Sequence, residues 1–343
     1  MKRLYLVLIV AFSLVLALSN SWAAGKGMKL HIAHWNVPKD PNTKVLQTIA
    51  KEIEEASGGT IKSEISWKAL GKPGDYYDAL VKGLCDIALF GPTYSPGRFP
   101  VAEMITLPIY YPTNRITVMA YYKLWKKGYL DKELSKIVPI AVGNNGGFLF
   151  MWHDKPVSTL AGLKGKKVSA PYTIHSKMVE RAGATPVSMP VTEVYVALDT
   201  GVIDGSWQIW PGMPVFKLHE VVRYATDVSM SGGPYVIGVN KSVYKKLPAK
   251  VREVLEKNDK RYSVMMADAF QGFTDLGRKI FLDSGGKITT FSPEDMAKLN
   301  KLYKPIFADW IKKYKARGVP AEKLLDEHYN ILIDLGVKNP FTR

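Results

Sequence analysis

The stretch from Leu163 to Trp210, LKGKKVSAPYTIHSKMVERAGATPVSMPVTEVYVALDTGVIDGSWQIW, admits few folds. Its apolar period switches between alternation and helical spacing. The pattern predicts a strand (Lys167 to Ala170), a helix (Thr173 to Ala182), a strand (Thr185 to Met189), a helix (Thr192 to Thr200) and a strand (Val202 to Trp207). That is a βαβαβ unit. Thr192 is placed to cap the second helix, and Gly201 sits where a left-handed residue ends it. Ligands of open α/β sheets bind at the carboxyl ends of the strands. Ser169 to Tyr172, Pro190 to Thr192 and Ser206 to Trp210 are therefore expected to share one binding edge.

The N-terminal half repeats the pattern. Met28 to Trp35 reads as a first strand, and Asp40-Pro41 as the cap and first position of a helix with Leu46, Ile49, Ala50, Ile53 and Ala56 on its apolar face. Thr60 to Trp67 alternates again, a helix covers Tyr76 to Leu84, and Asp86 to Phe90 is a buried strand. A helix from Asn114 to Lys126 and a strand from Ile137 to Val142 follow. The fold class is α/β, in two lobes. Phe148 to Trp152 is expected to cross into the second lobe and Pro234 to Val239 to return, the two acting as hinge strands. Pro248 to Asp283 reads as one proline-free helix of about 50 Å, long enough to span both lobes, with bends at Gly272 and Gly277. Pro293 to Arg343 is amphipathic helix with Trp310 and Tyr314.

A chain of 343 residues suggests about two domains. Lys2 and Arg3, the apolar run Leu4 to Leu18 and the small residues around Ser21-Trp22-Ala23 have the form of a cleaved secretory signal, with export to the periplasm as the expectation. The expected division is 1–23 as signal, 27–146 with 235–274 as lobe I, 147–234 with 275–312 as lobe II, and 313–343 as a helical tail packed on the lobes. The single cysteine, Cys85, lies in an apolar run and reads as a small buried hydrophobe. The formal charge of +16 is spread along the chain. Without a zinc-finger or RNP pattern it reads as a solvated basic surface, and no nucleic-acid partner is expected.

Catalytic signatures are missing: no Walker loop, GxGxxG or GxSxG occurs. The six histidines are scattered, and His31 and His34 would point to opposite faces of a strand, so neither a metal nor a cofactor is expected. Asp204 in GVIDG has two readings, a strand-end catalytic carboxylate or a turn-bonding structural residue. Aromatic residues, by contrast, gather at strand ends. Trp35, Tyr94, Tyr172, Trp207 and Trp210 all fall at predicted carboxyl edges, as the walls of a cleft would.

The motif TEVYVALDTGVIDG (Thr192 to Gly205), with LKGKKVSAP (Leu163 to Pro171), ATPVSMP (Ala184 to Pro190) and ASGGTIKSEI (Ala56 to Ile65), resembles the solute-binding proteins of TRAP (tripartite ATP-independent periplasmic) transporters. The resemblance covers the whole chain after the signal. It implies two lobes closing on a small solute, and delivery of that solute to membrane permease subunits driven by an ion gradient. Carboxylate-binding members carry an arginine in the strand written here LKGKKVSAP and a second after the Gly146-Gly147 turn. Those positions read Ser169 and Leu149. The other contact positions it implies are Trp35, Tyr94, Tyr172, Val191 and Gln208. Asn145 joins Ser169 and Gln208 as an expected neutral hydrogen-bonding group, and Lys72 is a nearby cation. The expected ligand is an aromatic, apolar or cationic organic solute instead of a simple dicarboxylate. A periplasmic enzyme and a ligand sensor on the same scaffold are the competing classes.

Overall fold

Alternation from Met28 onward folds as a parallel pair. In the computed structural model, which describes residues 27–338, β1 (Met28–His34) lies beside the strand that follows its crossover helix. That helix, α1 (Thr43–Ala56), buries Val45, Leu46, Ile49 and Ile53 and ends at Gly58 and Gly59, both at positive φ. It starts later than Asp40-Pro41 predicts. The Asp40 carboxylate accepts from the Asn42 N–H (2.8 Å) and from two side-chain amides, and so does not cap the first turn. The signal expected at 1–23 lies outside the described residues.

The first sheet continues with β2 (Ile61–Trp67), α2 (Tyr76–Lys82), β3 (Ile87–Phe90), α3 (Pro100–Ile105), α4 (Asn114–Lys126) and β4 (Ile137–Asn144). Cys85 is buried between α2 and β3, and burial pushes its thiol up to about 12, which leaves it inert at neutral pH. The chain then enters a second sheet through β5 (Phe148–Trp152), β6 (Lys167–Ala170), α5 (Thr173–Arg181), β7 (Thr185–Ser188), α6 (Val194–Asp199), β8 (Gly205–Gln208), α7 (Gly212–Phe216) and β9 (Tyr224–Met230). β10 (Pro234–Asn240) returns to the first sheet, where it runs antiparallel between β3 and β4. The sheet orders are β2-β1-β3-β10-β4 and β11-β9-β5-β8-β6-β7, where β11 (Lys287–Thr289) comes late in the chain. These are the two lobes. β5 and β10, expected to cross between them, each lie within one sheet. The crossings fall in the turns that precede them, 145–147 and 231–233, which pair through Asn145 N to Gly233 O (3.2 Å) and Gly147 N to Ser231 O (3.1 Å).

The βαβαβ unit is present, with β6 parallel to both β7 and β8. Its details differ from expectation. Thr192 caps nothing: a short 3-10 turn, Val191–Glu193, precedes α6, and no side chain caps the helix. Gly201 does take the left-handed conformation (φ 71°). The last strand starts at Gly205. Asp204 lies in the loop before it and accepts from the Lys167 N–H through Oδ2 (2.7 Å), which pins the start of β6 and fits the structural reading of this residue.

The long helix expected from Pro248 is divided at Asn258, after α8 (Lys241–Lys246) and α9 (Ala249–Lys257). Asp259 opens α10 (Asp259–Asp283) and is held by the Tyr122 hydroxyl (2.8 Å) and the Lys126 ammonium (2.7 Å) of α4. At about 37 Å, α10 still reaches both lobes. Its Ser263 Oγ accepts from Val142 N of β4 (3.1 Å), and its Arg278 pairs with Asp227 of β9 (3.4 Å). Neither Gly272 nor Gly277 interrupts it.

Two helices close the described chain, α11 (Pro293–Lys315) and α12 (Ala321–Asp334). Tyr314 donates to Glu103 of α3 (2.8 Å), and Asp295 accepts from Leu160 N (2.9 Å), so α11 also touches both lobes. The divisions expected at 274/275 and 312/313 fall inside α10 and α11. Among the described residues, no helix is long and apolar enough to cross a membrane.

Candidate ligand-binding cleft

Strand ends from both sheets converge on one cleft. Trp35 leaves β1, Tyr94 follows β3, Asn145 follows β4, Tyr172 follows β6 and Gln208 ends β8. Their rings form a continuous contact from lobe to lobe. Trp35 meets Tyr94 edge-on (5.4 Å between centroids), Tyr94 meets Tyr172 (5.2 Å) and Tyr172 meets Phe148 (6.1 Å). On the other side Trp35 stacks on Tyr235 (6.2 Å), which stacks on Phe270 of α10 (5.5 Å). The space left between these side chains is about 30 Å³, room for water only. A small-molecule site normally offers at least about 300 Å³. Admitting a solute therefore requires the lobes to part.

Six of the ten expected site residues line this cleft: Trp35, Tyr94, Asn145, Tyr172, Val191 and Gln208. The other four do not. Ser169 is buried inside the sheet, where its hydroxyl donates to Ser206 Oγ (2.7 Å). Leu149 points to the opposite face of β5, into the cluster with Met151, because neighbours on a strand alternate; Phe148 takes the cleft position. Trp207 is fully buried behind Phe148, stacked on it at 6.3 Å. Trp210 packs under α10 against Phe281 (5.4 Å). Lys72 is exposed and does not line the cleft.

Asn36, Asp40, Phe148, Tyr235 and Phe270 also line it, and the sequence reading does not anticipate them. Asp40 is the centre of a buried network. Asn36 Nδ2 donates to its Oδ2 (2.7 Å), and the Asn42 N–H and Nδ2 donate to its Oδ1 (2.8 and 3.0 Å). His34 Nδ1 accepts from the Asn36 N–H (3.0 Å), which leaves the hydrogen on Nε2, 3.3 Å from Asp40 Oδ1. Burial alone would raise the Asp40 carboxyl. The His34 imidazole and the amide hydrogen bonds outweigh it and hold the group below the usual carboxylate range, ionised at neutral pH.

Burial pushes Tyr172 up to about 12 and Tyr94 and Tyr235 well above the ordinary phenol value, so all three remain neutral. Asn145 Nδ2 donates to the Tyr235 hydroxyl (2.8 Å). No arginine or lysine lines the cleft among the described residues. A Ser–His pair exists nearby, with His175 Nε2 2.7 Å from Ser231 Oγ. Both residues are fully buried, and the serine hydroxyl already donates to Thr106 O (2.6 Å), so the pair joins the lobes and presents no free nucleophile.

A family model described as bacterial extracellular solute-binding protein, family 7, matches residues 32–313. The chain belongs to that family. Solved structures agree. The chain superposes with a TM-score of 0.84 on a marine metagenome TRAP solute-binding protein specific for aromatic acid ligands, solved with metahydroxyphenylacetate; the two are 28% identical over 90% of this chain and 99% of that one. A TRAP solute-binding protein from Rhodoferax ferrireducens T118, solved with copurified benzoate, gives 0.83 at 25% identity over 90% and 98%. The C4-dicarboxylate-binding periplasmic protein DctP of Rhodobacter capsulatus is 28% identical over 75% of this chain and 78% of its own. This family 7 chain thus shares its two-lobed frame with receptors whose described ligands differ.

Proposed function

We propose that the chain is the periplasmic receptor of a TRAP-type transporter that captures a small organic solute with an aromatic body and hands it to membrane permease subunits. The observation that carries this reading is the cleft wall. Seven rings, Trp35, Tyr94, Phe148, Tyr172, Phe216, Tyr235 and Phe270, line a space that no arginine or lysine among the described residues lines. Rings bury large areas with few rotors and stack on a flat solute. A dicarboxylate would lose the hydration of two charges there without a cation to replace it. The aromatic acids bound by the two solved relatives have the body such a wall fits. A single carboxylate could be met by the neutral tyrosine hydroxyls, and a second could not.

The test is a tryptophan-fluorescence titration of the purified mature chain with benzoate, 3-hydroxybenzoate, benzylamine and succinate. Aromatic compounds should quench Trp35 at micromolar concentration, and Trp35→Ala should weaken them at least tenfold. Tighter binding of succinate than of every aromatic compound would overturn the reading.

A further inference from the structure

The Asp40 network fixes the sense of an amide in the cleft wall, and with it the polarity demanded of the ligand. An ionised carboxylate only accepts. The amide atom of Asn36 that stands 2.7 Å from Asp40 Oδ2 must therefore be Nδ2, whichever way the side chain would otherwise turn. Oδ1 is left on the other side of the amide, buried and without a hydrogen-bond partner. Buried polar atoms in native structures are nearly always paired, so orphans on cleft-lining residues mark places for a ligand. Among the described residues three carry them, at Trp35 Nε1, Asn36 Oδ1 and Asn145 Oδ1, and Asn36 Oδ1 is the acceptor whose sense Asp40 fixes. Asn36 and Asp40 both line the cleft, next to Trp35. The groups facing Asp40 are His34, Asn36 and Asn42, and none offers Asn36 Oδ1 a hydrogen.

We propose that the bound solute presents an N–H or O–H donor to Asn36 Oδ1, and that Asp40 is the positioning residue that keeps this oxygen turned toward it. The proposal rests on the aromatic-body reading and narrows it to aromatic solutes that bear a hydroxyl or a protonated amine. Asp40 touches the amide and sets its direction; it need not touch the ligand.

Two matched pairs separate the donor from the ring and from charge. 3-Hydroxybenzoate and 3-methoxybenzoate share a ring and a carboxylate and differ in one O–H. Benzylamine and trimethylbenzylammonium share a ring and a positive charge and differ in their N–H groups. Isothermal titration of the full mature chain should show the uncapped member of one pair binding about tenfold tighter than its capped partner, and which pair does so tells hydroxyl from ammonium. Asp40→Asn should bring that ratio to within about threefold, because an asparagine at 40 accepts or donates and no longer fixes the Asn36 amide. Asn36→Ala should do the same without changing charge, which keeps the test intact if Asp40→Asn folds poorly. A merely structural Asp40 would lower affinity for both members equally and leave the ratio unchanged, and that result overturns the proposal. Equal binding of capped and uncapped members in both pairs overturns it too, while leaving the aromatic reading in place. Failure of every aromatic compound to bind overturns both.

Discussion

Gly277→Ala is expected to destabilise the protein by about 2–3 kcal/mol, whereas Gly272→Ala in the same helix is expected to stabilise it by roughly 0.5–1 kcal/mol. The two glycines have identical helix propensity and opposite surroundings. A Cβ on Gly277 would stand 2.1 Å from the Trp210 carbonyl oxygen and 2.7 Å from its carbon, both backbone atoms. A comfortable contact between heavy atoms lies near 3.5–4.0 Å, so helix or loop must move by more than an ångström. The loop cannot yield cheaply. The Trp210 ring packs on Phe281 at 5.4 Å and lies under the Arg278 guanidinium at 5.8 Å, so retreat would break contacts on both sides of it. A Cβ on Gly272 meets nothing within 4 Å and only removes backbone freedom from the unfolded chain. Urea denaturation should show the midpoint falling for the first variant and rising for the second at constant slope. Equal midpoints would mean that α10 does not abut lobe II as described. The contact also bears on function, because α10 carries Phe270 into the cleft and bears on both lobes. Gly277→Ala should therefore weaken solute binding as well as folding.

Much of this frame is legible from spacing alone, and the illegible parts have specific causes. Each strand of the βαβαβ unit has local apolar alternation and a turn signal at its end, so its order and direction follow from the chain itself. β9 is different. Its text, YATDVSM, carries Thr226 and Asp227 where alternation should be clean. Distant partners satisfy them: Thr226 Oγ1 accepts from Trp152 Nε1 (2.9 Å), and Asp227 pairs with Arg278. A strand whose polar residues are matched by tertiary partners gives no sign of itself in sequence. The break at Asn258 is of the same kind, since Asp259 starts a new helix by bonding to α4.

The cleft divides along a similar line. The rule that parallel strands expose their carboxyl ends together places Trp35, Tyr94 and Tyr172, and it needs no knowledge of side-chain direction. Ser169 and Leu149 needed such knowledge. A motif position identifies the residue and not the face it occupies, and a slip of one residue on a strand reverses that face. Tyr235 and Phe270 reach the cleft because β10 starts at the turn where the chain re-enters the first sheet and α10 bears on both lobes, a matter of how the two sheets meet. Asp before Pro is a strong local signal for a helix cap at Asp40. The nearby amides of Asn36 and Asn42 compete for the same carboxylate, and they win.

Acidification from pH 6.5 to 4.5 is expected to cost about 2 kcal/mol of folding stability, and two buried histidines account for its sign. Burial holds His175 and His328 down to about 3, against about 6.5 for a free imidazole. His175 Nε2 bonds to Ser231 and His328 Nε2 to the Tyr111 hydroxyl (3.0 Å), and Nδ1 of each is buried without a partner. The unfolded chain takes up a proton on each ring below about pH 6.5, and the folded chain does not until about 3. The unfolded state therefore gains on acidification, at about 1.4 kcal/mol per pH unit for each ring. Glu133 works the other way. Burial pushes its carboxyl up to about 8, so between pH 4.5 and 8 the folded chain keeps a proton that the unfolded chain has released. Its contribution is present in acid and lost as pH rises, which offsets one of the two histidines. The net slope is near zero at pH 6.5, where the unfolded rings are only half protonated, and reaches about 1.4 kcal/mol per unit by about pH 5, with stability falling as pH falls. Asp40, held below the ordinary carboxylate range, titrates beneath the window. Urea midpoints at half-unit intervals should follow this slope in the wild type and flatten in His328→Gln or His175→Gln, each of which removes one proton from the balance. His175 also stands in the Ser231–Thr106 link between the lobes, so the His175 variant alone should change solute affinity. A wild-type stability that stays level between pH 6.5 and 4.5 would show that at least one of these imidazoles is protonated in the folded chain, against the burial that both share.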